Sequence, residues 1–130
     1  MRLARLKARA DFLRVAASAR KCVRPGLILQ VAPQPRDGSM ANELDDDPRV
    51  GFTVTRKVGN AVERNRARRR LRAAAADILS QGAKRGHDYV LIARRETLRR
   101  DFADLLADLA GALRTLGTGG DRAQRIRQSG

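Results

Sequence analysis

A chain of 130 residues is long enough for one domain with a modest core, and its 28 Lys and Arg against 14 Asp and Glu leave a net charge of +14, which points to a polyanionic partner. One cysteine, Cys22, excludes an intramolecular disulfide framework and a cysteine-based zinc site, and one histidine, His87, argues against His-dependent metal or triad chemistry. No apolar run reaches the ~20 residues needed to span a bilayer, so the expectation is a soluble protein of a reducing, cytoplasmic compartment with no membrane partner.

In chain order, residues 10–19 are rich in Ala and Leu without Gly or Pro and predict a short helix, which Arg24-Pro25-Gly26 must end. Leu27-Ile28-Leu29-Gln30-Val31 is a short β-prone run closed by Pro33. Residues 34–48 hold two Pro, a Gly and the run Asp45-Asp46-Asp47, and predict a flexible acidic loop. Val50 to Thr55 alternates apolar with small or polar residues and predicts a half-exposed strand, ended at Gly59-Asn60. Residues 61–81 have no Gly or Pro and predict a helix, with Asn60 as N-cap and Glu63 completing a capping box. Gly82 is the predicted stop. His87 to Ala93 predicts a buried strand, and residues 101–116 an amphipathic helix with Phe102, Leu105, Leu106, Leu109 and Leu113 on one face. Residues 117–130 predict a disordered basic tail, which leaves residues 1–116 as a single α/β or α+β domain.

The charge is concentrated in two places. Residues 1–24 carry eight bases against Asp11, and residues 56–72 carry eight against Glu63, so each segment nets +7. At about 100° per residue, Ala67, Leu71, Ala74 and Ile78 form one stripe of the central helix. Arg64, Arg68 and Arg72 form a ridge beside it, Asn65, Arg69 and Arg72 an overlapping outer ridge, and Arg66 and Arg70 a third sector. Arginines one turn apart lie ~6 Å apart along the axis, close to the phosphate spacing of a single strand, and guanidinium groups suit phosphate oxygens. No acid falls between Glu63 and Asp77 to pair with them, whereas a helix needing only solubility would mix Glu with its Arg. The pattern predicts nucleic-acid contact.

The stretch from Lys57 to Arg72, with Arg64-Asn65-Arg66 at its centre, closely resembles the signature of the bacterial ribonuclease P protein subunit family. Asp11-Phe12, Arg49-Val50-Gly51-Phe52 and Asp88 to Arg94 extend the resemblance over residues 5–115. It implies an α/β (α+β) two-layer sandwich with a mixed sheet of about four strands, three helices and a left-handed βαβ crossover, an exception to a ~98% right-handed rule. It further implies a protein subunit, monomeric and one per RNA, that binds the ribonuclease P catalytic RNA and the 5′ leader of precursor tRNA. The endonucleolytic chemistry would then belong to the RNA and its bound Mg²⁺, with no catalytic and no metal-ligating residue on the protein. By position, Lys57, Asn60, Arg64, Asn65, Arg66, Arg68, Arg69 and Arg72 would face the catalytic RNA. Phe12, Arg56 and Lys57 would bind the leader, with Phe12 as a stacking platform.

This chain departs from the family in the leader cleft, where Ala16 and Leu27-Ile28-Leu29-Gln30 stand at places that often hold aromatics. Leader binding would then lean more on Arg and less on rings, and the plain alternative for Phe12 is a core residue. His87 reads as a surface or cap residue, and Cys22 as a small apolar one. Asp101, Asp104 and Asp108 read as the solvated face of their helix. A ribosomal or general RNA-binding protein shares the charge and size but not the ordered signature. A protein-only nuclease would need a carboxylate cluster, and the acids are scattered. The Arg-rich start could be taken for a mitochondrial targeting segment, for which Asp11 is atypical.

Overall fold

The structure, a computed structural model, describes residues 3–18, 20–35 and 46–117. In chain order its elements are β1 (Ala4–Arg5), α1 (Arg9–Ala17), β2 (Lys21–Val23), β3 (Leu27–Pro33), β4 (Arg49–Thr53), a 3₁₀ turn (Arg56–Val58), α2 (Ala61–Gly82), β5 (His87–Ala93), α3 (Glu96–Arg99) and α4 (Phe102–Leu116). The strands form one mixed sheet in the order β1-β4-β5-β3-β2. β5 pairs antiparallel with β3 from Leu27↔Ala93 to Pro33↔His87 and parallel with β4 from Arg49↔Asp88 to Thr53↔Ile92. Helix α2 therefore lies in the crossover of a parallel βαβ unit.

Alternation along β3 and β5 divides two apolar faces. Leu27, Leu29, Val31, Tyr89 and Leu91 point to one face, where they meet Leu71 and Leu79 of α2 and Leu105, Leu109 and Leu113 of α4. Each fully buried leucine contributes ~2 kcal/mol. Ala32 and Val90 point to the other face and pack with Val15 of α1 and Leu6, with Phe12 and Ile92 partly buried beside them. Cover on both faces explains why β5 reads as a nearly continuous apolar run.

α1 is tied to the sheet by charge. The fully buried Asp88 carboxylate accepts from Arg49 Nε at 2.8 Å and Nη2 at 2.6 Å, and from Arg14 Nη2. Arg14 also reaches Asp11 at 3.3 Å and donates to the Pro33 carbonyl at 2.7 Å. The hydrogen bond from Asp88, reinforced by the charges of Asp88 and Asp11, raises the Arg49 pKa above the ordinary arginine range against the opposing effect of burial.

The mixed α/β class agrees with the sequence, and several details differ. The sheet has five strands where about four are expected, because β1 and β2 are two and three residues long and too short for a periodic signal. There are four helices instead of three; the additional one, α3, is a single turn. α1 packs opposite α2 and α4, so a small third layer joins the expected two. Phe102, expected on the apolar face of α4, is 39% exposed at the helix start, whereas Asp108, expected on the solvated face, is buried. Its carboxylate accepts from Arg100 Nε at 3.1 Å, Arg100 Nη2 at 3.0 Å and the Gly26 backbone N–H at 2.9 Å. Asp101 and Asp104 are exposed as expected. Most of the acidic loop and of the basic tail lies outside the described residues. At the described end of the loop, Asp46 and Asp47 pair with Arg85 at 3.0 and 3.1 Å.

Candidate nucleic-acid interface

The start of α2 is fixed by its own sequence. Asn60 Oδ1 accepts from the Glu63 N–H at 2.9 Å while Glu63 Oε1 accepts from the Asn60 N–H at 2.8 Å, the predicted capping box. Arg64 Nη1 donates to the Gly59 carbonyl at 2.9 Å and closes the turn from below. Asn60 and Arg64, both expected to face a ligand, thus also hold the helix entry in place.

Beyond that turn the cations divide into three sectors around the helix. Ala67, Leu71, Ala74, Ala75 and Leu79 are buried and define the inner side. Arg68 and Arg72 flank it on one side, Arg66 and Arg70 on the other, and Asn65 and Arg69 point away from the core, as expected from about 100° per residue. Arg68 Nη1 donates to Asn65 Oδ1 at 3.0 Å. Arg66, Arg69 and Arg72 are exposed. Arg70 has another use: its Nη2 donates to the Arg100 carbonyl and joins α2 to the α3 turn. Several cations of the first basic segment are likewise committed internally. Arg14 serves Asp88, Arg20 donates to the Leu116 carbonyl and Arg24 donates to Thr115 Oγ1 at 2.9 Å.

The Arg68 and Arg72 flank borders an open cavity of about 320 Å³ at the β1–β4 edge, whose lining includes Phe12, Gly51, Arg5 and Lys7. Phe12 is half-buried, so it has a packed face and an accessible one. The packed face lies against Gly51: a Cβ there would stand 2.5 Å from Phe12 Cζ and 2.6 Å from Cε1. Glycine at 51 is what lets the ring lie on the strand. Phe12 is therefore both a packing residue and part of a cationic cleft.

The grouping differs from the expected one. Arg56 and Lys57, expected beside Phe12, lie in the 3₁₀ turn and line a second open cavity of about 500 Å³ with Gly59, Glu63, Arg66, Arg95 and Arg99. Lys57 also lines a third, of about 680 Å³, with Ile28, Ile92 and Arg94. Conversely, the sequence separates Phe12 from the arginine helix, and the structure joins them through Arg68 and Arg72. The pairing of β1 with β4, Ala4↔Arg49 and Arg5↔Val50, brings these distant segments together, and no local pattern announces it. No pattern in the sequence marks Arg5, Lys7, Arg95 or Arg99 as an individual contact. His87 is half-buried at the start of β5 with Nδ1 3.0 Å from the Arg85 carbonyl, and Cys22 is a free, half-buried thiol. Among the described residues, no group of three or more His, Cys, Asp or Glu could hold a metal ion, and no helix is long and apolar enough to cross a membrane.

Comparison with known proteins gives these surfaces a context. The model of the family described as Ribonuclease P matches residues 1–117. The chain is 57% identical over 116 residues to the Ribonuclease P protein component of Paramagnetospirillum magneticum, covering 89% of this chain and 84% of that protein. To the Ribonuclease P protein component of Gluconacetobacter diazotrophicus it is 47% identical over 116 residues, covering 89% and 93%. The fold is similar to that of the RNase P protein from Staphylococcus aureus, with a TM-score of 0.68 at 22% identity over 89% of this chain and 97% of that one. It is also similar to the RNase P protein from Thermotoga maritima, with a TM-score of 0.64 at 25% identity over 82% and 92%.

Proposed function

The chain belongs to the Ribonuclease P protein family, and on that premise we propose that it works as a monomer, one per catalytic RNA, in removing the 5′ leader from precursor tRNA in the cytoplasm. In this reading the endonucleolytic chemistry is the RNA's and the protein supplies binding. The observation that carries it is the surface of α2: Arg66, Arg69 and Arg72 project from a rigidly capped helix with no side-chain partner among the described residues. Preorganised guanidinium groups of this kind match phosphate oxygens without an ordering cost in the helix itself.

Lys57, Asn60, Arg64, Asn65, Arg66, Arg68, Arg69 and Arg72 form the surface for the catalytic RNA. Phe12 takes the leader, its accessible face stacking on an unpaired base, and Arg56 and Lys57 neutralise leader phosphates farther along the strand. The position of Arg68 and Arg72 on the lining of the Phe12 cavity supports a continuous path in which leader and catalytic RNA share the α2 flank. Mg²⁺, on this account, is held mainly by the RNA. Among the described residues the acids do not fit a resident metal site: Glu63 is committed to the cap and Asp88 to Arg14 and Arg49. The protein therefore acts on the reaction by binding and orienting RNA. The test is the RNA that co-purifies with the full chain from bacterial cells. A single large structured RNA with ribonuclease P activity is expected; ribosomal RNA, or no RNA, would overturn the assignment.

A further inference from the structure

The second cavity has a wall that the α2 motif does not supply. Across from Arg66, and beside Arg56 and Lys57 of the 3₁₀ turn, stand Arg95 and Arg99 from the segment after β5. One acid, Glu63, faces these five cations, and its Oε1 already accepts from the Asn60 N–H at 2.8 Å. Arg99 has only a loose, exposed contact to Glu96 at 3.5 Å. Glu63 and the loose Glu96 contact offset only part of the repulsion among five neighbouring cations, and that excess is the electrostatic condition of an anion-binding groove.

The wall is also held rigidly. Thr97 is fully buried; its Oγ1 donates to the Gly26 carbonyl at 2.6 Å and accepts from the Arg94 N–H at 2.8 Å. Arg95 Nε donates to the Lys57 carbonyl at 2.9 Å, which joins the wall to the 3₁₀ turn and leaves the terminal guanidinium nitrogens without a partner among the described residues. Arg70 fixes the other end through the Arg100 carbonyl. Three separate tethers thus fix this one turn of helix, to Gly26 before β3, to the 3₁₀ turn and to α2, two of them made by arginines whose own charge lies in the basic surface. A turn serving only as a connector would not need them.

We propose that Arg95 and Arg99 complete a phosphate-binding groove with Lys57 and Arg66, and that this groove holds the sugar–phosphate backbone of the catalytic RNA, while Arg56 on its lining keeps its role toward the leader. Arg70 is the positioning residue that keeps α3 in place. The proposal deepens the functional reading above and rests on it: the α2 motif is one side of the RNA contact, and α3 is the other. The cavity is open rather than enclosed, which suits a passing backbone rather than a sequestered mononucleotide.

The experiment measures the affinity of the full chain for an in vitro transcribed bacterial ribonuclease P RNA across a series of monovalent salt concentrations. The probes are wild type, Arg95→Ala/Arg99→Ala, Arg99→Ala alone, and Lys21→Ala as an exposed cation remote from the groove on β2. Each lost phosphate contact flattens the slope of log affinity against log salt by ~0.7–0.9. The double variant is expected to lose about twice that while remaining folded, and Lys21→Ala to keep the wild-type slope. A wild-type slope in the folded double variant overturns the proposal. If the double variant melts early, Arg99→Ala decides, since its side chain holds nothing but Glu96: a slope flattened by about one contact supports the groove, and an unchanged slope overturns it. Wild-type protein that fails to bind this RNA in a salt-dependent way refutes the functional reading itself, a separate outcome.

Discussion

Phe12→Leu separates the two uses of the Phe12 ring. The packed face of the ring is set by Gly51, where a Cβ would stand 2.5 Å from Phe12 Cζ, and the other face borders the cationic cavity. Leucine keeps most of the apolar fill, so the stability cost should stay below ~1.5 kcal/mol, whereas Phe12→Ala would approach the ~3 kcal/mol lower range for losing a buried ring. Leucine cannot stack on a base, an interaction that contributes ~1–3 kcal/mol, and ~1.4 kcal/mol is tenfold in affinity. In reconstituted holoenzyme, Phe12→Leu should therefore weaken binding of leader-bearing precursor tRNA about tenfold while sparing mature tRNA. Gly51→Ala should do the same by displacing the ring, at a packing cost of ~1–3 kcal/mol. Wild-type discrimination between precursor and mature tRNA by Phe12→Leu would refute the stacking role and leave the ring as packing alone.

Arg68→Ala and Arg69→Ala should each flatten the salt dependence of RNA affinity by ~0.7–0.9, and an unchanged slope in both would make them bystanders. Asn60→Ala should cost ~1 kcal/mol of stability through loss of the cap; Asn60→Asp should restore the melting temperature yet bind RNA more weakly, because it adds a negative charge to the interface. Asp88→Asn leaves Arg14 and Arg49 without their shared carboxylate and should cost on the order of 3 kcal/mol, read by denaturant unfolding; a loss below ~1 kcal/mol would show the network to be dispensable. Because Asp88 raises the Arg49 pKa, the stabilisation from that cation is fully present below the ordinary arginine range and lost only as pH rises through the raised value. Melting temperature across neutral pH should therefore not report Arg49.

What was legible in the sequence follows from how local each signal is. α2 carries its start, its stripe and its charge within one uninterrupted run; the structure keeps the capping box and buries Ala67, Leu71 and Ala74, whereas Ile78 is half-buried and Ala75 and Leu79 take the buried places farther along. β1 and β2 exist only because longer strands lie beside them, so no periodicity within them could announce them. The burial of Asp108 depends on Arg100 eight residues earlier and on Gly26 in the turn before β3, a partnership that a helical wheel cannot display. Arg70 looks like its neighbours in sequence, and only the Arg100 carbonyl distinguishes it. The candidate site was legible in the same measure: its α2 residues came from one motif, whereas the company of Phe12 with Arg68, and of Arg66 with Arg95, required the tertiary fold.

On the proposed function, the protein contributes binding and the RNA contributes chemistry. Rigorously RNA-free protein should leave precursor tRNA intact over a long incubation at any Mg²⁺ concentration, and addition of a bacterial ribonuclease P RNA should give cleavage at the 5′ end of the mature tRNA at low Mg²⁺. Turnover by the RNA-free protein, or a catalytic RNA whose low-Mg²⁺ cleavage is indifferent to the protein, would contradict the account.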